Sequence, residues 1–501
     1  MAENENRFSL IEEPWIPVVD VGRVSLRQLF SEPHLRAFGG NAQQKIALMK
    51  LLQALCQSAV TLKDEQQWLA LRPKGVSHAV LAYLDKWQDR FWLYGDRPFL
   101  QMPAIARAEI KPFGTVQPEV STGNTTVLTE RQSEKALSDA DKALLLVVQM
   151  SLALGGKKTD NSVVLSAGYR GKTNDKGKPA TGRFGPGLAF LGLMHSFCVG
   201  ETLAETFWLN LLTQKEIALF TQYPQGCGVA PWEQMPEGED CAVARSLKQT
   251  LMGRLVPVSR FCLLAEAGLH YSEGISHSSY KEGLYDPSVL VNKKGKELKV
   301  QWINPGRRPW RELTSLLAFL SPQQSEWECE QLRMATDKAS LSQRCFGIWS
   351  GGLSVSSNAG EQYVSGSDDQ VESLYWLDPA HLGDSWFYHF KNEMSGLEGL
   401  AKTLYGSVSR WCREMKLEPK EYAARATEHY WQLCETQAQT LLESSPDSDQ
   451  RLRLRKQFAE YVYRVYDATC SGQNARQLGA WAEARPVLTD YLRSTTGKEV
   501  A

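Results

Sequence analysis

Between Gly155 and Gly187 the chain gathers residues suited to one chemistry, the close approach of phosphate. Eight glycines fall within those 33 residues, and Lys157, Lys158, Arg170, Lys172, Lys176, Lys178 and Arg183 face only Asp160 and Asp175. The 501-residue chain as a whole carries a net charge of −1. Glycine frees the backbone N–H groups and lets them come near an anion, while cations supply the salt-dependent attraction. A solvated surface loop has the same composition. Within the stretch, Val163-Val164-Leu165 runs into Ser166-Ala-Gly-Tyr-Arg-Gly171-Lys172-Thr173, close to a strand entering a phosphate loop of the form G-x-x-x-x-G-K-[ST]. Ser166 stands where the first glycine belongs. The following Asn174 to Pro179 is hostile to the helix that should face the phosphates. A nucleotide-hydrolysing enzyme using Ser166 to Thr173 is therefore the alternative reading.

Other reactive constellations are missing. The sequence has no H-E-x-x-H and no G-x-S-x-G, and Gly352-Leu353-Ser354-Val355-Ser356 lacks the closing glycine. His195 stands three residues before Cys198, a spacing that could suggest a metal, but no second ligand pair accompanies it. A buried, hydrogen-bonded histidine is the favoured reading. The ten cysteines form no C-x-x-C and read as reduced, mostly buried thiols. No cofactor is expected. The small polar run from Ser350 to Gly366 reads by composition as a mobile linker, with a loop able to enter a DNA minor groove as the second choice. Arg451, Arg455 and Lys456 form a basic strip near a helix N-terminus, where the dipole disfavours them; a solvated face accounts for that.

These groups need elements to hold them. Ile16 to Val21 and Val24 to Leu26 suggest a hairpin turning near Gly22. Gly39-Gly40-Asn41, with Gln44 three residues past the asparagine, predicts a capped helix bearing a stripe of Leu48, Leu51/Leu52, Leu55 and Ala59. A second helix is expected from a Ser138 cap to Leu154, ending at Gly155-Gly156, so the basic stretch starts at a helix C-terminus. Val289 to Trp302 reads as a hairpin around Lys293 to Lys296. Beyond residue 384, Leu397, Leu400, Leu404, Val408 and Trp411 lie on one helical face. Further helices are expected over about Lys420 to Leu442, Asp449 to Thr469 and Ala475 to Leu492, the last interrupted at Pro486. The predicted class is α+β: a large mixed α/β domain over residues 1–383, then a four-helix bundle over 384–501. With 43% hydrophobic residues and fifteen tryptophans, the chain has ample material for folded cores. The polar start MAENENRF carries no secretory signal, and no apolar run approaches a membrane span. A cytoplasmic protein without membrane contact is expected.

Several stretches in order resemble the CasA family, the large subunit of the type I-E CRISPR surveillance complex, Cascade. Leu10 to Val18 and Val24 to Phe30 match its opening. Phe91 to Tyr94, Arg97 to Gln101, Gly123 to Thr125, Leu209 to Leu212, Ile348 to Gly352 and Glu428 to Trp431 continue the likeness along nearly the whole chain. The resemblance implies a non-enzymatic role: reading the short motif flanking a target (the PAM), helping to open the duplex and recruiting a helicase-nuclease. Its partners would be the other Cascade subunits, the guide RNA and target double-stranded DNA, with protein reading the flank and base pairing the rest. By the resemblance, the PAM-reading glycine loop lands on Gly155, Gly156, Lys157 and Lys158. The wedge loop lands on Ser356, Ser357, Asn358 and Ala359, without the family's usual glutamine. The minor-groove lysine is assigned to Lys281, and the loop near the guide's 5′ end to Gly123–Lys135. The cysteine cluster of some relatives is absent, which implies no metal.

Overall fold

The computed structural model describes residues 6–117, 136–152, 163–166, 173, 192–272, 274–321, 326–358, 361–363 and 369–493. The chain divides into two compact units. One comprises Met1–Pro309 with Glu326–Leu374, the other Trp310–Ser325 with Tyr375–Ala501.

In the first unit, strands β1 (Ile16–Val18) and β2 (Gly22–Val24) form the expected hairpin, with Ile16 opposite Val24 and Val18 opposite Gly22. Gly22 opens the returning strand at φ +99°, after a turn that also puts Asp20 at φ +63°. Helix α1 (Leu26–Ser31) follows, then α2 (Ala42–Ala59). The α2 cap is the predicted capping box: Gln44 N donates to Asn41 Oδ1 at 2.9 Å, and Asn41 N to Gln44 Oε1 at 3.1 Å.

Burial around α2 is wider than the leucine stripe predicted. Lys50, Gln53 and Gln57 are buried as well, so the helix is enclosed on nearly all sides. Three of the buried polar side chains reach partners on other segments. Gln53 Nε2 donates to Asn210 O at 3.0 Å, Gln57 Nε2 to Leu212 O at 2.8 Å, and Lys50 Nζ to Asp286 Oδ1 at 2.6 Å. Buried polar side chains are tolerable on those terms.

Helix α3 (Glu65–Lys86) kinks at Arg72, φ +58°, ahead of Pro73. Its Trp68 stacks on Trp208 of a later helix with ring centroids 4.0 Å apart and planes 9° apart. Each indole N–H donates to the other residue's carbonyl, at 2.8 and 3.1 Å. Helix α4 (Asp139–Leu152) begins where predicted, with Asp141 N donating to Ser138 Oγ at 3.2 Å.

Strand β3 (His195–Val199) precedes α5 (Leu203–Asn210). The predicted second hairpin is present as β4 (Val291–Asn292) and β5 (Lys299–Val300), joined by a longer turn than expected. Helix α6 (Glu330–Ser342) leads to β6 (Phe346–Leu353), whose eight residues are all buried. β7 (Ser356–Asn358) and β8 (Glu361–Tyr363) pair antiparallel, and β9 (Gln370–Leu377) follows. The main sheet runs β9-β6-β3, with Gly347 opposite Val199 and Gly351 opposite His195.

The second unit is helical. Its elements are α7 (Asp384–Glu414), α8 (Pro419–Glu435), α9 (Ala438–Ser444), α10 (Ser448–Thr469), α11 (Ala475–Ala484) and α12 (Thr489–Arg493). The single helix predicted over Lys420 to Leu442 is broken between Glu435 and Ala438, and Pro486 separates α11 from α12 as predicted. Helix α7 packs on α8, α10 and α11. Segment 310–325 belongs to this unit through Trp310, whose ring meets Trp431 edge-on at 5.8 Å, and Arg311, which lies 3.6 Å over the Trp431 ring and donates to Glu398 at 2.8 Å.

Candidate nucleic-acid interface

Lys281 sits in a single 3₁₀ turn, Tyr280–Glu282, built for display. Ser279 and Glu282 form a capping box around it, with Ser279 N donating to Glu282 Oε2 at 2.8 Å. Gly283 closes the turn at φ +88° with open space where a Cβ would stand, so the left-handed conformation accounts for the glycine. Lys281 itself is exposed.

Its neighbour Tyr280 anchors the turn. The ring meets Trp302 edge-on at 5.7 Å, within a cluster of Leu193, Val289, Val291 and Val300 that also holds Tyr285 and Leu298. That cluster is the buried face of the β4–β5 hairpin, whose own lysines lie outside it. Lys293 is engaged by Glu328 and Glu330, and Lys294 by Glu326. Lys296 and Lys299 are exposed and make no ion pair with the described residues. Sequence reasoning assigned Lys281 alone. The signal it missed is the alternation that turns Val291, Leu298 and Val300 inward and leaves the hairpin lysines outward.

The predicted wedge residues fall on a strand rather than in a linker, which corrects that expectation. Ser350 to Leu353 complete the buried strand β6, and Ser356, Ser357 and Asn358 form β7, opposite Tyr363, Gln362 and Glu361. Ladder hydrogen bonds fix this backbone, and composition alone does not register them. Ala359 lies outside the described residues. So do Gly155, Gly156, Lys157 and Lys158, and the stretch Gly123–Lys135. Of the phosphate-loop reading, Ser166 is fully buried and Thr173 is exposed in an isolated bridge; Gly171 and Lys172 are outside the described residues.

The other candidates resolve into internal contacts. His195 is fully buried, and its Nδ1 lies 2.9 Å from Ser288 Oγ. Cys198 is buried too, but three residues apart on a strand places the two side chains on opposite faces. Among the described residues no group of three or more His, Cys, Asp or Glu is gathered as a metal site. Ser288 N and Oγ both donate to Asp286 Oδ1, at 2.9 and 2.7 Å, as Lys50 does from α2. Burial opposes the Asp286 charge, yet Lys50 beside it holds the carboxyl well below the usual carboxylate range.

The basic strip of α10 is not a solvated face. Arg455 forks onto Glu393 of α7, with Nε to Oε2 at 2.8 Å and a second nitrogen to Oε1 at 2.6 Å, and Arg451 approaches the same carboxylate at 3.8 Å. Only Lys456 of the three is exposed. An apolar cleft of about 360 Å³, lined in part by Phe38, Met49, Phe197, Trp349 and Leu374, holds no reactive pair. Its Lys45 is bound to both oxygens of Glu372 at 2.8 Å, and Trp349 Nε1 donates to that carboxylate at 2.8 Å.

Comparison with known proteins places this architecture. The profile of the family described as CRISPR-associated protein Cse1 matches residues 9–468. A CRISPR-associated protein CasA/Cse1 of Thermus thermophilus is 30% identical over 165 residues, an alignment spanning 30% of this chain and 32% of that protein. The match thus covers about a third of that relative's length. Among solved structures, Cse1 of Thermobifida fusca superposes with a TM-score of 0.77 at 16% identity, covering 98% of each chain. A CRISPR-associated protein of T. thermophilus gives 0.73 at 18%, covering 98% of this chain and 100% of the other. A chain from a CRISPR RNA-guided surveillance complex gives 0.68 at 14%, covering 95% and 98%.

Proposed function

The chain belongs to the CRISPR-associated Cse1 (CasA) family, and from that membership we propose that it is the large, non-catalytic subunit of an RNA-guided surveillance complex. Its partners are the other Cascade subunits and the guide RNA. It reads the PAM of double-stranded target DNA, helps to open the duplex and supports recruitment of a helicase-nuclease. The helices of the second unit correspond to the family's four-helix bundle. The observation that carries the reading is the family match across residues 9–468.

Local geometry supports it at one point. Lys281 is displayed, exposed, on a turn braced by Tyr280. Gly155, Gly156, Lys157 and Lys158 are proposed to read the flank through backbone and cations, and the β7 strand with Ala359 to act as the wedge.

The test is target-duplex binding by the complex reconstituted with and without this chain, across all flanking trinucleotides. A flank preference that appears only with the chain is expected. Lys281→Ala should then weaken binding to all flanks alike and shallow the plot of log K against log[salt] by about 1. Binding equally tight and equally indifferent to the flank in both preparations would remove PAM reading.

A further inference from the structure

Strand β9 ends the main sheet, and part of its outer side is left open. The ladder fixes which of its groups face inward. Asp369 O accepts from Ser354 N at 2.6 Å, and Val371 O faces Gly351 of β6. In an antiparallel pair, the residues bonded to the neighbouring strand alternate along the chain. Asp369, Val371 and Ser373 therefore bond toward β6, while Glu372 and Leu374 aim their N–H and C=O groups outward. Among the described residues nothing takes up those four groups. Further along the same edge, at Trp376, the side chain of Gln439 fills the role of a strand. Trp376 N donates to Gln439 Oε1 at 3.0 Å, and Gln439 Nε2 donates to Trp376 O at 3.0 Å.

The open stretch borders the apolar cleft. Side chains two apart share a sheet face, so Glu372 and Leu374 stand together, and both line the cleft with Phe197 and Trp349. Met49 of α2 lies on its wall, and Val19 and Leu374 leave its rim 44% and 41% exposed. Lys45 and Glu372 satisfy each other at 2.8 Å, so the cleft offers an incoming group no unpaired charge. Its 360 Å³ accepts a large apolar side chain. Edge groups that call for a backbone, beside a cleft that calls for an apolar side chain, are the two halves of recognition by strand addition. Left uncovered, the same combination invites aggregation, which favours a resident partner over a passing one.

We infer that an extended segment of a neighbouring subunit adds to β9 as a fourth strand and seats a large apolar side chain in the cleft. The outward groups of Glu372 and Leu374, about 6.8 Å apart along the strand, bond its backbone. The partner residues opposite them turn their side chains to the cleft's face of the sheet. The inference rests on the proposed membership of a multi-subunit complex.

The experiment compares amide hydrogen exchange, read residue by residue, in the full chain alone and in the guide-loaded complex reconstituted with it. In the chain alone, the Glu372 and Leu374 amides should exchange as unbonded amides do, while those of Val371 and Ser373 are protected. In the complex all four should be protected, the two outward ones slowed tenfold or more. Proline is tolerated at an edge position whose N–H faces solvent, so Leu374→Pro removes one outward donor and keeps the bonds to β6. It should weaken the chain's hold on the complex by about tenfold more than Leu374→Ala, which removes only the side chain. Val19→Glu, at the rim of the cleft, should weaken that hold by about tenfold. Unchanged exchange at Glu372 and Leu374 on assembly overturns the inference, whatever the variants do. So does protection that grows with the concentration of the chain alone, which would give the edge to a second copy. A wild-type chain that never joins the complex would overturn the function reading itself.

Discussion

Single residues in this chain carry more strain of charge than its near-neutral total suggests. His277 is the clearest case. It is 3% exposed, and its Nε2 donates to Pro257 O at 2.7 Å. Burial, reinforced by Arg254 nearby, depresses its pKa to about 3. The unfolded chain takes up that proton near pH 6.5 and the folded one does not, so the folded state binds fewer protons in the interval between. The resulting stability is complete above about pH 6.5 and declines as the pH falls toward 3. Unfolding free energies of the wild type should therefore fall faster between pH 6 and 4 than those of His277→Gln, by up to about 1.4 kcal/mol per pH unit. Parallel pH profiles from denaturant titrations would refute this. None of it is visible in the sequence, where Ser-His-Ser reads as a polar loop. Arg455 and Glu393 make the same point across 62 residues, since a basic strip and a buried carboxylate declare no relation until the helices that bear them meet.

At the scale of elements, local signals survived and long-range ones did not. The Asn41–Gln44 box and the Ser138 cap were legible because all their partners lie within four residues. The break at Glu435 and the strand character of Ser356 to Asn358 were not, because neighbouring chain overrides propensity there. The glycines of α7 lend themselves to a direct test. Gly399→Ala and Gly406→Ala remove backbone freedom from the unfolded chain and meet no obstruction in the fold. Each should stabilise the protein by about 0.5–1 kcal/mol, read as a rise in Tm. A fall in Tm would mean that these positions are packed after all.

For the whole molecule, the sequence showed the change of character near residue 384 but not the part that joins from upstream. Nothing in the composition of residues 310–325 separates them from the hairpin before them. Yet Trp310, Leu313, Leu316 and Leu317 are buried to 2% exposure or less, and the segment belongs to the helical unit. A fragment cut at the predicted boundary, 384–501, should lack a cooperative thermal transition and bind hydrophobic dyes. Burying four large apolar side chains is worth about 6 kcal/mol or more, comparable with the whole stability of a domain. Fusing residues 310–321 ahead of it should restore the transition. A fragment already melting cooperatively without them would show that the helices need no such strut. The same segment sets a clock during synthesis. Trp310 leaves the ribosome before Trp431, the ring it packs against, has been made. At about 5–20 residues per second that interval lasts roughly 6 to 24 s. For that time an apolar, tryptophan-bearing segment lacks one of its native ring partners, which makes it a place on the nascent chain where a chaperone would be expected to bind.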